Sequence, residues 1–364
     1  MIMLRNGFFL FFFIILLSSC SSSLQQGMKF RADLMNTGVY NTIPLQSEPQ
    51  LLWKYQTGAW VRSSAVVTNT MVYFGCSDGN LYALDVVDGQ LKWKFSTDGQ
   101  IGSSPLLVKN KLFIGSYDGK LYCVEALTGQ LLWDFDTGDR IFSSPTIAGK
   151  NILIGALNGD FYAISMKNGE VIWKITLGTG VSSSPAYKDG VIYVGSWDGK
   201  LYALKKNGDI KWDFQTENLI FASPAVTEKI VVVGSLDGNM YGVDIENGSE
   251  IWKFETGDQI TSSPAILNNT VYFGSKDGYL YALSLTSGEL LWKFEDGGEI
   301  ESSPSIADNM IYFGGVNGVL YALNSVSGEL IWKYTTGGRL FASPVVANGK
   351  IFIGSKDGFF YALR

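Results

Sequence analysis

Short runs of apolar, β-branched and aromatic residues alternate with short polar turns along most of the chain, and no segment has a helical period. Residues 260–294 show the pattern. An apolar run containing a proline is followed by residues 270–275, which alternate as a strand does, and then by an Asp-Gly turn. Residues 279–283 give a third strand and, after a turn ending in glycine, residues 290–294 give a fourth. Four short antiparallel strands per unit predict a β-propeller blade.

This unit repeats along the chain. Its fourth strand contains a tryptophan, and successive tryptophans are 40 residues apart, except for a spacing of 39 between Trp173 and Trp212. A Ser-Ser-Pro motif or a close variant recurs eight times, and so does an Asp-Gly or Asn-Gly turn. A fixed period of this length indicates a repeat architecture, here with eight blades. The tryptophans are Trp53, Trp93, Trp133, Trp173, Trp212, Trp252, Trp292 and Trp332.

The two ends of the repeat region are incomplete in complementary ways. Residues 51–55 match the fourth strand of a unit, whereas residues 340–364 supply the first three strands and lack the fourth. Pairing the N-terminal strand with the C-terminal blade would complete the ring and remove open strand edges. The sequence therefore predicts an all-β fold, an eight-bladed β-propeller of four-stranded antiparallel blades. We expect this ring to be monomeric.

The N-terminal segment has a different composition. Arg5 is the only charged residue before residues 8–17, an almost pure Phe, Leu and Ile run that is too short to span a bilayer and fits the apolar region of a signal peptide. It leads into Leu-Ser-Ser-Cys at residues 17–20, which resembles the lipobox of bacterial lipoproteins. The resemblance implies cleavage before Cys20 and lipidation of its thiol. The alternative is an ordinary signal peptide followed by a chance cysteine.

These features divide the chain into three parts. We expect a lipoprotein signal peptide at residues 1–19, a lipidated tether and lead-in at residues 20–50, and the propeller at residues 51–364. The protein is then lipid-anchored in the cell envelope. Because Ser21 and not aspartate follows the cysteine, the periplasmic side of the outer membrane is favoured if the cell is Gram-negative.

Composition and charge exclude several classes of partner and of catalytic or metal site. The formal net charge is -6 and no basic stripe is visible, so nucleic acid is not an expected partner. The chain has no histidine, no Gly-x-x-x-x-Gly-Lys, no Cys-x-x-Cys and no calcium-loop motif. We expect no metal site, because the hairpin turn alone accounts for the recurrent Asp-Gly pairs. Cys76 and Cys123 are expected to be small buried residues, and a disulfide between them is the alternative.

The repeats resemble those of the PQQ-like β-propeller family. The similarity rests on Gly-Ser-x-Asp-Gly-x-Leu-Tyr-Ala-Leu at residues 274–283, on Gly-Glu-Leu-Leu-Trp-Lys-Phe at residues 288–294, and on their counterparts throughout residues 51–364. A lead-in of the form Phe-Arg-x-Asp-x-x-x-Thr-Gly at residues 30–38 is also common in the family. The resemblance implies that the eight tryptophans named above dock each blade against its neighbour.

Two branches of this family imply different functions. Quinoprotein alcohol dehydrogenases hold pyrroloquinoline quinone with long inserted loops, a calcium site and a disulfide between adjacent cysteines. Here no two cysteines are adjacent, and every unit has 39 or 40 residues. The other branch consists of lipid-anchored, non-enzymatic scaffolds of outer-membrane protein assembly. We therefore expect no cofactor, no enzymatic activity and a protein partner in the envelope. A quinone-binding propeller and a propeller that binds a glycan or other small ligand remain the alternatives.

A specific site in a ring of near-identical blades must use positions at which the repeats differ. The second residue before each Ser-Ser-Pro is always apolar, whereas the residues on either side of it vary. Because side chains alternate along a strand, the constant set is expected in the core and the variable sets elsewhere. The hairpin between the second and third strands also varies, and it lies at the same end of the blade. These positions predict a single binding face.

One half of this face is aromatic or apolar and the other half is charged, a composition typical of binding surfaces. The aromatic and apolar residues are Trp60, Tyr117, Phe142, Leu157, Trp197, Leu219, Phe221 and Leu236. The charged residues are Lys276, Glu299, Glu301, Arg339 and Lys356. The alternative is that several of the aromatic residues pack between neighbouring loops. Trp197 and Tyr117 are expected to be the most exposed, because they lie at hairpin tips.

Overall fold

A computed structural model describes residues 29–295 and 298–364. The predicted signal peptide at residues 1–19, the lipidation site Cys20 and the tether up to residue 28 lie outside the described residues. Among those that are described there is no α-helix, and hence none that could cross a membrane.

The described chain forms 32 strands in eight sheets of four antiparallel strands. The first strand in the chain is β1 (Leu51–Gln56). Blades 1 to 4 follow as β2 (Val66–Val67), β3 (Met71–Gly75), β4 (Asn80–Asp85), β5 (Leu91–Ser96); β6 (Leu106–Val108), β7 (Lys111–Gly115), β8 (Lys120–Glu125), β9 (Leu131–Asp136); β10 (Thr146–Ala148), β11 (Asn151–Gly155), β12 (Asp160–Ser165), β13 (Val171–Thr176); β14 (Ala186–Lys188), β15 (Val191–Gly195), β16 (Lys200–Lys205), β17 (Ile210–Gln215).

Blades 5 to 8 continue as β18 (Ala225–Val226), β19 (Ile230–Gly234), β20 (Asn239–Asp244), β21 (Glu250–Glu255); β22 (Ala265–Leu267), β23 (Thr270–Gly274), β24 (Tyr279–Ser284), β25 (Leu290–Glu295); β26 (Ser305–Ala307), β27 (Met310–Gly314), β28 (Val319–Asn324), β29 (Leu330–Thr335); β30 (Val345–Ala347), β31 (Lys350–Gly354), β32 (Phe359–Leu363). In blade 8 the sheet order is β1-β32-β31-β30, so β1 supplies the missing fourth strand. The predicted eight-bladed fold and its closure are confirmed.

In five of the blades the aspartate of the Asp-Gly hairpin accepts a hydrogen bond from the loop that enters the blade. In blade 1, Gly79 adopts a φ of 82°, which few residues other than glycine tolerate. The Asp78 carboxylate accepts hydrogen bonds from the Asn80 amide (3.0 Å), the Tyr82 hydroxyl (2.6 Å) and the Gly58 amide of the preceding loop (2.9 Å). These bonds hold the pKa of Asp78 below its usual range even though burial opposes them. The aspartate therefore stabilises both the turn and the junction between blades.

A closed circle of serine hydrogen bonds surrounds the central channel. In every blade the last serine before strand one donates its backbone N–H to the hydroxyl of the equivalent serine in the next blade, at 2.9–3.1 Å. The circle is completed by Ser343, which donates to Ser64 at 3.1 Å. We call these residues the serine ring: Ser64, Ser104, Ser144, Ser184, Ser223, Ser263, Ser303 and Ser343. The buried backbone N–H of each of these serines thus has a hydrogen-bond acceptor, the serine hydroxyl of the next blade.

The tryptophans of the fourth strands lie between neighbouring blades. Trp53 packs on Gly89 of blade 1 and donates its indole N–H to the Val86 carbonyl at 3.2 Å. Equivalent bonds to a carbonyl of the following blade are made by Trp93, Trp173, Trp212, Trp252 and Trp292 at 2.7–3.3 Å. Trp133 packs in the same way on Gly169, but its indole nitrogen is buried with no hydrogen-bond partner among the described residues.

Trp332 docks on the lead-in and not on a turn of a following blade. Its indole N–H donates to the carbonyl of Leu45 in the lead-in at 2.9 Å, so Leu45 takes the place of the turn on which the other tryptophans dock. The Tyr312 hydroxyl also contacts the backbone of Leu45. The lead-in therefore supplies the inter-blade contact that blade 8 lacks.

The ring has two different ends. We call one end the mouth face, formed by the loops that enter the first strand of each blade and by the hairpins between the second and third strands. The other end is the plug face, formed by the remaining two sets of turns. The constant apolar positions, such as Ile101 and Ile260, are buried in the core as predicted. Cys76 and Cys123 are free and buried, so that expectation is also confirmed, and burial raises the pKa of the two thiols to about 11 and 12.

Residues 29–45 close the channel from the plug face, and we call residues 29–38 the plug. Backbone amides of the innermost strands of blades 4 to 7 donate to carbonyls of residues 34–38 at 2.7–2.9 Å. Arg31 is buried and donates to the carbonyls of Pro264 (2.7 Å) and Pro304 (2.6 Å). Asn36, also buried, donates to the Pro224 carbonyl at 3.0 Å. The sequence predicted only a lead-in here, yet the segment reaches four blades.

Candidate binding site at the channel mouth

A cavity of about 390 Å³ opens at the mouth face, above the plug. Its base is formed by the serine ring and by Phe30 of the plug. Its walls are formed by the variable residues that directly precede each Ser-Ser-Pro motif or its variant, all eight of which line it. They are Arg62, Gly102, Phe142, Ser182, Phe221, Thr261, Glu301 and Phe341. A set of positions chosen because the repeats differ there thus converges on one place.

One side of the cavity is aromatic. Phe142 and Phe221 meet edge to face with ring centroids 5.0 Å apart, although a whole blade separates them in sequence. Tyr117 lies against Phe142 at 6.0 Å between centroids. Trp197 donates its indole N–H to the Ser182 hydroxyl at 2.8 Å, and this bond fixes the ring at the wall. The side chains form a continuous apolar surface on blades 2 to 5.

The opposite side combines cations with aromatic rings. The Lys356 ammonium lies 3.7 Å from the centre of the Trp60 ring, and the Arg62 guanidinium lies 4.9 Å from that of Phe341. Contacts of this kind are cation–π interactions. Arg62 makes no ion pair or hydrogen bond with any described residue, and its Nε is buried. A guanidinium held in this way can still donate to an incoming acceptor.

Thr261 and Glu301 complete the polar side. The Thr261 hydroxyl is buried without a hydrogen-bond partner among the described residues. The carboxylate of Glu301 lies 3.8 Å from the Lys276 ammonium. Burial raises the pKa of Glu301 above its usual value, and the nearby Lys276 only partly opposes this. The polar side of the cavity thus holds unsatisfied hydrogen-bonding groups and a partly desolvated acid.

The structure places the predicted face at this end of the ring and corrects part of its description. Phe142, Leu157, Trp197 and Phe221 line the cavity, and Trp60 lies on its rim with 42% of its surface exposed. Tyr117, Leu219 and Leu236 are half-buried around it. The expectation that Trp197 and Tyr117 would be the most exposed is wrong: both are half-buried, because their rings fold back over Gly180 and Gly102 of the same blade.

Several residues that line the cavity were absent from the predicted face, among them Arg62, Phe341 and Phe30. Arg62 and Phe341 belong to the variable positions that identified the other members, so the signal was present in the sequence. Phe30 could not be found in that way, because it belongs to the plug and to no repeat. Among residues 29–295 and 298–364, no three Cys, Asp or Glu side chains gather as a metal site would require.

The closed ring, the repeated docking tryptophans and the regular hairpins define an eight-bladed β-propeller of regular short blades. A family model described as the beta-propeller of beta-alanine-activating enzyme matches residues 37–229, and one described as outer membrane protein assembly factor BamB matches residues 276–364. Because the first model spans more than half of the sequence, the chain belongs to the β-propeller family that it describes, and its repeats are PQQ-like.

Several solved structures share the fold. BamB from Moraxella catarrhalis is 20% identical with a TM-score of 0.75, covering 87% of this chain and 98% of that one. The computationally designed Ika8 protein is 19% identical with a TM-score of 0.77, covering 86% and 99%. Quinohemoprotein alcohol dehydrogenase from Comamonas testosteroni is 14% identical with a TM-score of 0.81, covering 93% and 80%. At these identities the likeness is one of fold. No protein of curated function matches the chain.

Proposed function

We propose that this protein is a lipid-anchored, non-catalytic scaffold of the bacterial cell envelope that binds a protein partner at the channel mouth, in outer-membrane protein assembly. The observation that carries the proposal is the asymmetry of the mouth. Eight equivalent positions converge there, and they combine an aromatic wall with an arginine that has no hydrogen-bond partner among the described residues.

The chemistry of the mouth suits a protein partner. Tryptophan, tyrosine and arginine are the residues most often responsible for binding energy at protein interfaces, mainly in pockets that exclude water. Arg62 and Thr261 each have a buried polar atom that a partner's carboxylate or backbone could satisfy. The apolar wall formed by Phe142 and Phe221 could receive an apolar side chain beside that contact.

The regularity of the blades favours recognition over catalysis. Each unit has 39 or 40 residues, so the mouth is walled by short loops only. It contains no histidine, and among the described residues no hydroxyl of the cavity donates a hydrogen bond to the Glu301 carboxylate, which lies 3.8 Å from the Lys276 ammonium. One family model is described as an outer-membrane assembly factor, and this supports the choice of partner.

Photo-crosslinking in intact cells tests the proposal. A photoreactive amino acid at Trp60, on the rim of the mouth, should form an adduct with a component of the outer-membrane assembly machinery. The matched control is Ile172, which is 54% exposed in β13, the outermost strand of blade 3, at the end next to the plug face. An adduct at both positions, or at neither, would contradict binding at the mouth.

Substitutions then separate recognition from folding. Phe221→Ala and Arg62→Ala should weaken the partner complex about tenfold or more, because anchors of this kind contribute about 2 kcal/mol or more. Thr286→Ala on the plug face is the control. The anchor is tested by Cys20→Ala, which should leave the membrane fraction. Stoichiometric binding of pyrroloquinoline quinone with dye-linked alcohol oxidation would instead support the enzymatic alternative.

A further inference from the structure

The turns between the third and fourth strands end in tips that project from the plug face, and the chemistry of these tips differs around the ring. In each of these turns one residue accepts, through its backbone carbonyl, the indole N–H of a docking tryptophan. We call the next residue in the chain the tip. It is Val87 in blade 1, Leu127 in blade 2 and Val326 in blade 7, with 66%, 67% and 81% of the surface exposed. In blades 3 to 6 the equivalent residues are polar or charged: Lys167, Asn207, Glu246 and Thr286.

In blade 8 the third and fourth strands are β32 and β1, and the lead-in takes the place of the turn between them. Leu45 takes the place of the docking carbonyl, and Ile43, two residues before it, is 69% exposed. Ile43 and Val326 line the same recess on the plug face. Three exposed aliphatic tips therefore belong to blades 7, 1 and 2, and the exposed Ile43 of the lead-in lies between them in the place of blade 8. We call Ile43, Val87, Leu127 and Val326 the aliphatic arc.

The N-terminal part of the chain enters the ring within the same arc. Lys29 lies in the wall of a second recess on the plug face, between Ala65–Asn69 of blade 1 and Val345–Asn348 of blade 8. Its ammonium group is buried and bonds to Asn36. Cys20 precedes Lys29 by nine residues, and nine residues span at most about 30 Å when fully extended. A lipid on Cys20 would hold this side of the plug face close to the membrane.

We propose that the aliphatic arc rests on the lipid surface, so that the plug face is turned to the membrane and the mouth away from it. The proposal uses the lipid anchor of the proposed function, but the arc is an independent observation. Single aliphatic side chains scattered over a water-exposed protein surface are normal. Here Val326, Val87 and Leu127 occupy the same position in blades 7, 1 and 2, and Ile43 lies beside Val326, whereas that position holds a polar or charged residue in blades 3 to 6.

The contact is expected to be hydrophobic. The arc contains no lysine or arginine, whereas the cation among the tips, Lys167, lies in the polar half. Membrane contact through aliphatic tips should therefore persist at high salt, unlike the attraction of a basic patch to anionic lipid. Burial of these tips in the interfacial region would remove apolar surface from water and add to the hold of the anchor.

Quenching of attached fluorophores tests the inference. Val326→Cys and Val87→Cys place a label on the arc, and Thr286→Cys and Glu246→Cys place it at the equivalent tips of the polar half. The native Cys76 and Cys123 are buried and should not react. The full-length protein is reconstituted into vesicles of phosphatidylethanolamine and phosphatidylglycerol with brominated acyl chains. Labels on the arc should be quenched several-fold more than the controls, equally at low and high salt.

The outcomes distinguish this inference from the proposed function. Equal quenching at all four positions in an anchored protein overturns the inference and leaves the mouth site intact. Quenching confined to the arc supports it, even if Cys20→Ala remains in the membrane fraction and the lipid anchor is thereby refuted. Stronger quenching of the polar tips would place the opposite side of the ring on the membrane and would also overturn it.

Discussion

The hydrogen bond made by a docking tryptophan can be isolated by comparing two neighbouring blades. Trp93 and Trp133 are both half-buried, and each packs on a glycine of the next blade. Their nearest aromatic rings lie at 5.8 and 5.7 Å. They differ in their hydrogen bonds: Trp93 donates to the Ala126 carbonyl at 3.1 Å, which also accepts from the Tyr73 hydroxyl, whereas Trp133 has a buried indole nitrogen with no partner among the described residues.

Replacement of each tryptophan by phenylalanine should therefore have different effects on stability. Both variants lose a similar apolar area. Trp93→Phe also loses a hydrogen bond with a net value of about 0.5–1.5 kcal/mol, whereas Trp133→Phe removes a buried unsatisfied donor that costs about 1–3 kcal/mol. We expect Trp93→Phe to be less stable than Trp133→Phe by at least about 1 kcal/mol.

Urea unfolding followed by circular dichroism measures the difference. With a slope of about 3 kcal/mol/M, the midpoints should differ by about 0.3 M. A third variant checks the cause: Lys111 donates to the Met166 carbonyl at 3.2 Å, in the place that the Trp133 indole would use. Lys111→Met frees this carbonyl, and Trp133→Phe should then cost as much as Trp93→Phe. Equal midpoints for the two original variants would refute the reasoning.

Two further predictions concern the plug and the closure of the ring. Burial lowers the pKa of Lys29 to about 7, and the nearby Asp33 only partly opposes this. The unfolded state therefore binds more protons than the folded state between pH 7 and 10. The free energy of unfolding should rise with pH in that range, by at most about 1.4 kcal/mol per pH unit. In Lys29→Met the urea midpoint should rise less between pH 7 and 9, and parallel curves for the two proteins would contradict the burial of this ammonium group. Deletion of residues 51–55 removes the fourth strand of blade 8 together with Trp53, so unfolding should occur at a much lower urea concentration; an unchanged midpoint would show that β1 does not close the ring.

The sequence determined the fold because the signals for it are local. Alternation within five or six residues sets each strand, and an Asp-Gly pair such as Asp78-Gly79 sets each hairpin, through bonds between residues two to four positions apart. Repetition of these signals at a constant period then gives the number of blades, and the unmatched strand at residues 51–55 gives the closure. The same comparison of repeats located the mouth, since only positions that differ can make one side of the ring distinct.

Only the tertiary structure decided the roles that depend on distant contacts. Arg31 meets the carbonyl of Pro304, 273 positions along the chain, and nothing in the local pattern around it indicates a buried guanidinium. The direction of the Trp197 ring follows from its bond to Ser182 and the space above Gly180, and Arg62 is placed beside Phe341 by closure of the ring. Sequence pattern fixes which face of a strand is buried, but the distance between residues of different blades is set by packing of the whole ring. For that reason the plug, the unsatisfied groups of the mouth and the aliphatic arc became visible only in three dimensions.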